Sequence, residues 1–198
     1  EERLTELFRD ASQKAYSQDD IDFSNYDVVV VFHAGIGQDF SLPFLDPTPE
    51  DIPSTFIDNS MIVEHLGVSS IDLGENMIKQ GIILPESQNH LLFDISEAMF
   101  SDASEPCEYQ YGMTGTFVLM IGFAVGLPPL WNINTGESGV GVFGLMDQGS
   151  NNGRGIIPTP PTAWSRINAG WEEPVYGKAG DHIQLAARSE GHVVNIPI

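Results

Sequence analysis

The stretch GTFVLMIGFAVGLPPLWNINTGESGVGVFGLMDQGS, residues 115–150, begins like a helix and ends like a loop rich in glycine. It contains the longest apolar run of the chain, from Thr116 to Leu127, and this run is followed directly by Pro128 and Pro129. A run of this length is too short to cross a bilayer, and prolines end a helix. The sequence therefore predicts a buried core helix followed by an irregular segment.

The same stretch has the spacing of a zinc-protease site. Zincins place two histidines at i and i+4 on one helical face, with a glutamate after the first, and metzincins add a helix-ending glycine, a third ligand and a Met-turn. Gly126 stands at the position of the glycine, and Met146, in residues 144–146, stands at the Met-turn. Apolar residues occupy the positions of the first histidine, the glutamate, the second histidine and the third ligand: Leu119, Met120, Phe123 and Pro129.

Three segments carry a resemblance to a known family: GFAVGLPPLW at 122–131, SGVGVFGLMDQGS at 138–150 and AWSRINAGW at 163–171. In order and spacing they resemble the helix end, the Met-turn and the paired tryptophan signature of immune inhibitor A-type secreted bacterial metalloproteases. The resemblance spans roughly residues 26–171. It implies a metzincin-like α/β domain with a mixed sheet, packed helices and long irregular loops, in a secreted or cell-surface bacterial protein that is usually multidomain.

The departures from the family pattern indicate a domain without catalysis. Leucine, methionine and phenylalanine do not coordinate zinc, and filling a metal cavity with them adds apolar burial of roughly 1.5–3 kcal/mol per side chain. We therefore expect no zinc and no peptidase activity, and instead a binding or structural module. Its partner would be a protein or polymer ligand or other domains of the same polypeptide. Two alternatives stay open: an active hydrolase with a relocated metal site or with non-metal chemistry, and a subunit of an extracellular assembly.

The net charge and the cysteine content exclude several classes of binding partner and of cysteine chemistry. Acidic residues outnumber basic ones 28 to 8, which gives a net charge of -20. Nucleic acids and anionic membranes would repel such a chain, and no run of apolar residues is long enough to span a membrane. Cys107 is the only cysteine, so an internal disulfide and a cysteine-based metal cluster are excluded.

The first half of the chain predicts an α/β arrangement. An amphipathic helix opens the chain, and the run YDVVVVFHAG at 26–35 predicts a central strand covered on both faces. We expect an edge strand in STFID at 54–58, a second strand at 81–84 and a helix at about 90–100. The apolar positions that predict the first helix are Leu4, Leu7, Phe8, Ala11 and Ala15.

The five histidines form no HxH or HxxxH pair. His33 ends the predicted central strand, a place where active-site residues of α/β folds collect, although a structural role is the simpler expectation. A relocated metal site would draw on His65 and His90 together with Glu64 and Glu86. His182 and His192 suggest no site.

Two segments rich in oxygen ligands make calcium a candidate cofactor, because Ca²⁺ prefers carboxylate and carbonyl oxygens. Neither segment follows an EF-hand pattern, so an acidic solvated loop is the competing interpretation. The candidate ligands lie in DPTPEDIPSTFIDN and in NINTGE: Asp46, Glu50, Asp51, Asp58, Asn132, Asn134 and Glu137.

The last part of the chain predicts a loop and a hairpin. The segment from Gly149 is rich in Asn, Gly and Pro, and we expect Trp164 and Trp171 to anchor it. Alternating residues predict a hairpin of strands at 183–187 and 193–196. We accordingly divide the chain into a metzincin-like domain at 1–175 and the start of a β-rich domain at 176–198.

Overall fold

A computed structural model describes residues 1–19, 21–39, 50–88, 112–186 and 193–196. The described chain is mixed α/β, with helices packed around small sheets, which confirms the predicted class. The predicted helix at 90–100, Cys107 and the candidate residues Asp46, His90 and His192 lie outside the described residues. No helix in the described ranges is long and apolar enough to cross a membrane.

The first helix forms where the sequence predicts it. Helix α1 spans Glu2–Asp19 and completely buries Phe8, whose ring lies against Gly81 so closely that a Cβ at that glycine would stand 2.0 Å from the phenylalanine Cζ. Burial of one phenylalanine contributes about 1.5–3 kcal/mol. Gly81 thus lets the helix approach a strand of the sheet.

The main sheet has three strands within the described residues. Strand β1 spans Val29–Gly37, β2 spans Thr55–Ile57 and β5 spans Gly81–Gln88. Their order is β1-β5-β2, with β1 parallel and β2 antiparallel to β5. The edge strand at 54–58 and the strand at 81–84 are confirmed, the latter with four further residues.

The strand covered on both faces is β5, not β1 as predicted. Ile83 faces the α1 side and joins the cluster around Phe8, whereas Ile82 pairs with Phe56, which stacks on the helix at the other face. β1 lies at the edge of the described sheet, and its Phe32 is 62% exposed. A β-branched run indicates a strand, but it does not fix the position of that strand in the sheet order.

A second helix and a hairpin complete the first core. Helix α2 spans Asn59–Leu66, and the hairpin pairs β3, Ile71–Leu73, with β4, Asn76–Ile78. These elements bury Ile62, Ile71 and Leu73 against α1 and the sheet. This region is therefore a conventional hydrophobic core, which we call the sheet core; its buried members are Phe8, Phe23, Ile57, Ile62, Ile71, Leu73 and Ile83.

The apolar run of residues 116–127 forms helix α3, Thr114–Ala124, as predicted. It contacts β2 and β5 on the face of the sheet away from α1. The prediction of a fully buried helix is wrong, because the buried residues of α3 are Gly115, Thr116 and Gly122, while Phe117 is 37% exposed. The helix packs through its smallest residues, whereas its large side chains are partly exposed.

The chain after α3 runs through short 3₁₀ turns at 141–143 and 148–151 to helix α4, Ala163–Asn168. The predicted anchoring by tryptophans is wrong, since Trp164 and Trp171 are each 54% exposed. Polar contacts hold this segment instead: Arg166 Nε donates to Glu172 at 2.5 Å, and its guanidinium also donates to the Pro161 carbonyl at 2.7 Å.

The C-terminal hairpin is also not formed as predicted. Residues 183–186 are not a strand, and residue 187 lies outside the described part. Strand β7, Val194–Asn195, pairs in parallel with β6, Val175–Tyr176. Alternating polarity predicted strand character near 193–196 but could not identify the partner, because pairing depends on where the connecting chain returns.

Candidate active-site remnant and adjoining cleft

Three of the residues that the sequence aligned with a zinc-protease frame, Leu119, Phe123 and Met146, lie in one small apolar cluster. Leu119 and Phe123 of α3 pack with Met146 on a core of Leu127 and Leu145. Met146 is fully buried. We call these five residues the α3 cluster.

The helix reaches this cluster through glycines. A Cβ at Gly122 would stand 2.6 Å from the Met146 Sδ, and one at Gly115 would stand 1.8 Å from the Ser150 carbonyl oxygen. The Met146 carbonyl also accepts a hydrogen bond from Leu130 N–H at 2.8 Å. The methionine segment therefore lies directly on the helix backbone, with no room for longer side chains between them.

The four residues that the sequence alignment placed at ligand positions are partly buried. Leu119, Met120, Phe123 and Pro129 are all of intermediate exposure. They offer no nitrogen, oxygen or thiolate side-chain donor, which are the ligands that zinc takes in proteins. Of the four, Leu119 and Phe123 belong to the apolar packing around Met146.

Aromatic contacts connect this cluster to the sheet. The Phe123 ring stacks on Phe56 of β2, with ring centroids 5.7 Å apart, and meets the edge of Trp131 at 5.8 Å. Such pairs add about 0.5–1.5 kcal/mol beyond their burial. The phenylalanine at the second histidine position thus links the edge strand, α3 and the loop after it.

A polar cleft opens beside Leu119. It has a volume of about 420 Å³. Exposed amide side chains of Gln148 and Asn151 stand beside the partly buried Trp131 indole. The lining therefore combines an aromatic surface with amide donors and acceptors. The lining residues are Asp39, Leu119, Trp131, Gly136, Asp147, Gln148, Ser150 and Asn151.

Asp147 organises one wall of the cleft. Its Oδ2 accepts hydrogen bonds from the backbone N–H groups of Gly139, Val140 and Gly141 and from Ser138 Oγ, all at 2.8–2.9 Å. Burial works to raise the pKa of this carboxyl, but the hydrogen bonds outweigh burial and hold the pKa below its ordinary value. Asp147 is therefore an ionised anchor for the glycine-rich loop at 138–141.

Asp39 lies in the same cleft, but its pKa is shifted in the opposite direction to that of Asp147. Burial raises its pKa above the ordinary value, although hydrogen bonds from Ser54 N–H and Ser54 Oγ, both at 2.7 Å, work to lower it. Gln88, at the end of β5, bonds to Asp39 and also donates to Thr116 Oγ1 of α3. A buried polar chain thus runs from the end of β1 through β5 to α3.

Two of the predicted calcium ligands have a side-chain oxygen engaged within the protein. Asp58 Oδ1 caps α2 by accepting from Met61 N–H at 2.9 Å, and Asn132 Oδ1 accepts from Asn134 N–H at 2.9 Å. Glu137 N–H donates to Thr135 Oγ1 within the same turn. Among the described residues no three His, Cys, Asp or Glu side chains are grouped as a metal site. Neither Glu50 nor Asp51 belongs to such a group among these residues. Calcium binding therefore stays a prediction.

Within the described part of the chain, His33 and His65 lie on different elements and have different neighbours. His65, near the end of α2, has its Nε2 3.8 Å from Glu1, whereas His33 lies on β1 with Nδ1 3.0 Å from the Ala34 carbonyl. Glu86 lies at the end of β5 and accepts from Gly35 N–H at 3.3 Å, while Glu64 is exposed on α2. The structure therefore joins Glu86 to the His33 neighbourhood and not to His65.

Sequence reasoning missed Asp39 and Asp147. The aspartate in GLMDQGS directly follows the Met-turn methionine, and the one in GIGQDF follows the end of a strand, where functional side chains gather. Both signals are visible in the sequence. Their roles depend on partners from other segments, which no local pattern specifies.

Comparison of the chain with protein-family models, with curated proteins and with solved structures gives no match.

Proposed function

We propose that this chain is a non-catalytic, metzincin-like domain of the immune inhibitor A type, from a secreted bacterial protein, which binds a protein or polymer ligand in the cleft beside α3. The observation that carries the proposal is the α3 cluster. Residues at two zinc-ligand positions, Leu119 and Phe123, pack on the methionine that a Met-turn would provide. The scaffold contact is kept where the ligand atoms are replaced.

Replacement of the ligands removes both binding and catalysis. A zinc site needs nitrogen, sulfur or carboxylate ligands that are oriented by further hydrogen bonds. Leu119 and Phe123 have none of these groups, and Met120 offers a thioether where the general base would stand. No proton acceptor remains at that position to activate a water molecule.

The cleft supports ligand recognition. Gln148 and Asn151 present exposed amides, and Trp131 provides an aromatic surface beside them. Strand β2, linked to this region through Phe56 and Phe123, is an edge strand of the described sheet. An extended peptide or polymer lying along such an edge could bond to backbone groups while its side groups enter the cleft.

A proteolysis assay tests the proposal. Purified chain is incubated with casein and with a mixed peptide library, with and without 1,10-phenanthroline. We expect no cleavage in either arm, because no metal-activated water is present. Cleavage that the chelator abolishes, and that Leu119→Ala leaves intact, would identify an active enzyme with a relocated metal and would contradict the proposal.

One observation favours assembly as a second candidate function. Large apolar side chains stand open on the loops after α3, including Phe143 at 79% and Ile157 at 72% exposure. Groups of exposed apolar residues mark interaction surfaces. Light scattering across a concentration series separates the two functions: a constant monomer mass contradicts assembly, and growth of the mass with concentration supports it.

A further inference from the structure

A second pocket lies where the parallel strands β1 and β5 end. It has a volume of about 440 Å³ and shares no lining residue with the cleft beside Leu119. In open α/β sheets, ligands bind at the carboxyl ends of the strands. The side chains that matter for its chemistry are Phe32, His33, Glu86, Met113 and Phe117.

A break in the strand pairing shapes this pocket. The register between β1 and β5 shifts between His33 and Ile36, and Gly35 adopts a φ of +92°, which side chains rarely allow. Gly35 N–H then donates to Glu86 Oε2 at 3.3 Å. Bulges of this kind redirect side chains and often lie next to binding sites.

His33 carries a hydrogen-bond acceptor that the protein does not use. Its Nδ1 lies 3.0 Å from the Ala34 carbonyl oxygen, and because that oxygen can only accept, Nδ1 must carry the hydrogen. The Nε2 atom of the neutral ring is then an acceptor, and it is buried without a hydrogen-bond partner. Because this atom has no exposed surface, a ligand in the pocket does not reach it, and His33 contributes only other atoms to the lining.

The walls of the pocket are aromatic and apolar. The rings of Phe32 and Phe117 are nearly parallel, 11° apart in orientation, with centroids 6.4 Å apart. They are 62% and 37% exposed, so both offer surface to a ligand. Aromatic rings and the thioether of Met113 suit an apolar or aromatic body and also attract a cation.

We propose that this pocket binds a small organic amine. Its ammonium group donates to the exposed carboxylate of Glu86, and its aromatic or branched apolar body lies against Phe32 and Phe117. A carboxylate accepts hydrogen bonds and is anionic, so a cationic donor matches it and an anion does not. The net charge of -20 also favours approach of a cation.

Calorimetric titration with matched probes tests the amine site. The probes are 2-phenylethylamine, its neutral analogue 2-phenylethanol and the anion phenylacetate, measured at neutral pH, where a primary amine is protonated and a carboxylic acid is ionised. We expect saturable binding of the amine and affinities about tenfold or more weaker for the other two, because they lack the charge-assisted hydrogen bonds.

Variants locate the binding. Glu86→Gln keeps an acceptor for Gly35 N–H but removes the charge, and it should weaken amine binding about tenfold while leaving 2-phenylethanol unchanged. Glu64→Gln, at an exposed glutamate of α2, is the matched control for net charge and should change nothing. Phe117→Ala should weaken the amine and the alcohol alike, and circular dichroism confirms that each variant is folded.

Three results would overturn the proposal: no saturable binding of the amine, equal affinity for amine and alcohol, or unchanged amine binding by folded Glu86→Gln. None of these results bears on the absence of peptidase activity, which the proteolysis assay measures separately.

Discussion

The sheet core and the α3 cluster are held together by different forces. The sheet core buries large side chains such as Phe8, Ile57 and Ile83 completely between α1, α2 and the sheet. The α3 cluster has only Leu127, Leu145 and Met146 as buried members. Around it, close backbone contacts at glycines and the hydrogen bonds of Asp147 supply the remaining order. The sheet core is stabilised mainly by the burial of large apolar side chains. The region of the α3 cluster depends on close contacts at glycines and on the charged carboxylate of Asp147.

The difference indicates how the region around α3 stays folded with few large buried side chains. Gly115 and Gly122 bring α3 against Ser150 and Met146, and Gly149 brings the following loop against the Gly144 carbonyl. The glycine-rich segment therefore has a packing role that does not require a metal.

The largest effect is expected in the sheet core. Phe8→Ala removes a fully buried ring that fits against Gly81, and it should lower the free energy of unfolding by about 3–5 kcal/mol. Urea unfolding measures it. Phe143→Ala, at a ring that is 79% exposed, is the control and should cost less than about 0.5 kcal/mol. Similar losses in the two variants would mean that the sheet core is not organised as described.

The next effect separates two glycines on α3. An Ala Cβ at Gly115 would lie 1.8 Å from a backbone oxygen, which cannot move alone, so Gly115→Ala should cost about 1–3 kcal/mol or more. At Gly122 the obstacle is the flexible side chain of Met146, so Gly122→Ala should cost less. Thermal unfolding of the pair provides the comparison, and the reverse order would contradict the packing of α3 on Ser150.

Asp147→Asn tests the charged anchor of the second region. The amide cannot hold several backbone donors as the carboxylate does, so the free energy of unfolding should fall by about 1–2 kcal/mol. Hydrogen exchange should show faster exchange at Gly139, Val140 and Gly141 and unchanged exchange in β5. Uniform acceleration in both regions would show that the two are not independent.

The two aspartates of the cleft should respond to pH in opposite directions. The folded pKa of Asp147 is lowered, so its stabilising contribution is present above the unfolded value near 3.9 and is lost as pH falls through the folded pKa. The folded pKa of Asp39 is raised, so ionisation above the unfolded value costs stability as pH rises toward the folded pKa.

Stability curves of Asp147→Asn and Asp39→Asn between about pH 2 and 8 measure these contributions. The parent should lose its advantage over Asp147→Asn on acidification and should gain relative to Asp39→Asn over the same range. Slopes of the same sign for both variants would show that one of the two carboxyl environments is described incorrectly.

The smallest effect on stability is expected at the surface formed by the exposed loops after α3, where Phe143 lies. Phe143→Ser should change the free energy of unfolding by less than about 0.5 kcal/mol. If the chain self-associates through this surface, the same change should lower the mass that light scattering records at high concentration. Unchanged association would place the contact elsewhere.

Hydrophobic periodicity predicted which segments form helices and strands better than it predicted where those elements lie and how deeply they are buried. The apolar spacing of residues 4–15 predicted α1, and the run at 116–127 predicted α3, because both patterns are local. The position of β1 at the edge of the described sheet was not predictable, since sheet order follows from how separate segments pair. The exposure of Trp164 and Trp171 likewise depends on distant packing and not on side-chain size.

The candidate site likewise has one part that the sequence pointed to and one part that it did not. The alignment with the zinc-protease frame singled out Leu119, Phe123 and Met146, and the structure brings these three residues together. The polar cleft was not predicted, because Asp39 comes from the end of β1 while Trp131 and Asp147 come from loops after α3. Only the folded chain joins them.

Zinc analysis by mass spectrometry tests the central claim most directly. The chain is dialysed against zinc, returned to metal-free buffer and compared with Leu119→Ala treated in the same way. Because apolar side chains stand where ligands are needed, we predict that neither protein retains zinc above the background of the buffer. Stoichiometric zinc that survives dialysis in the parent chain would contradict the account.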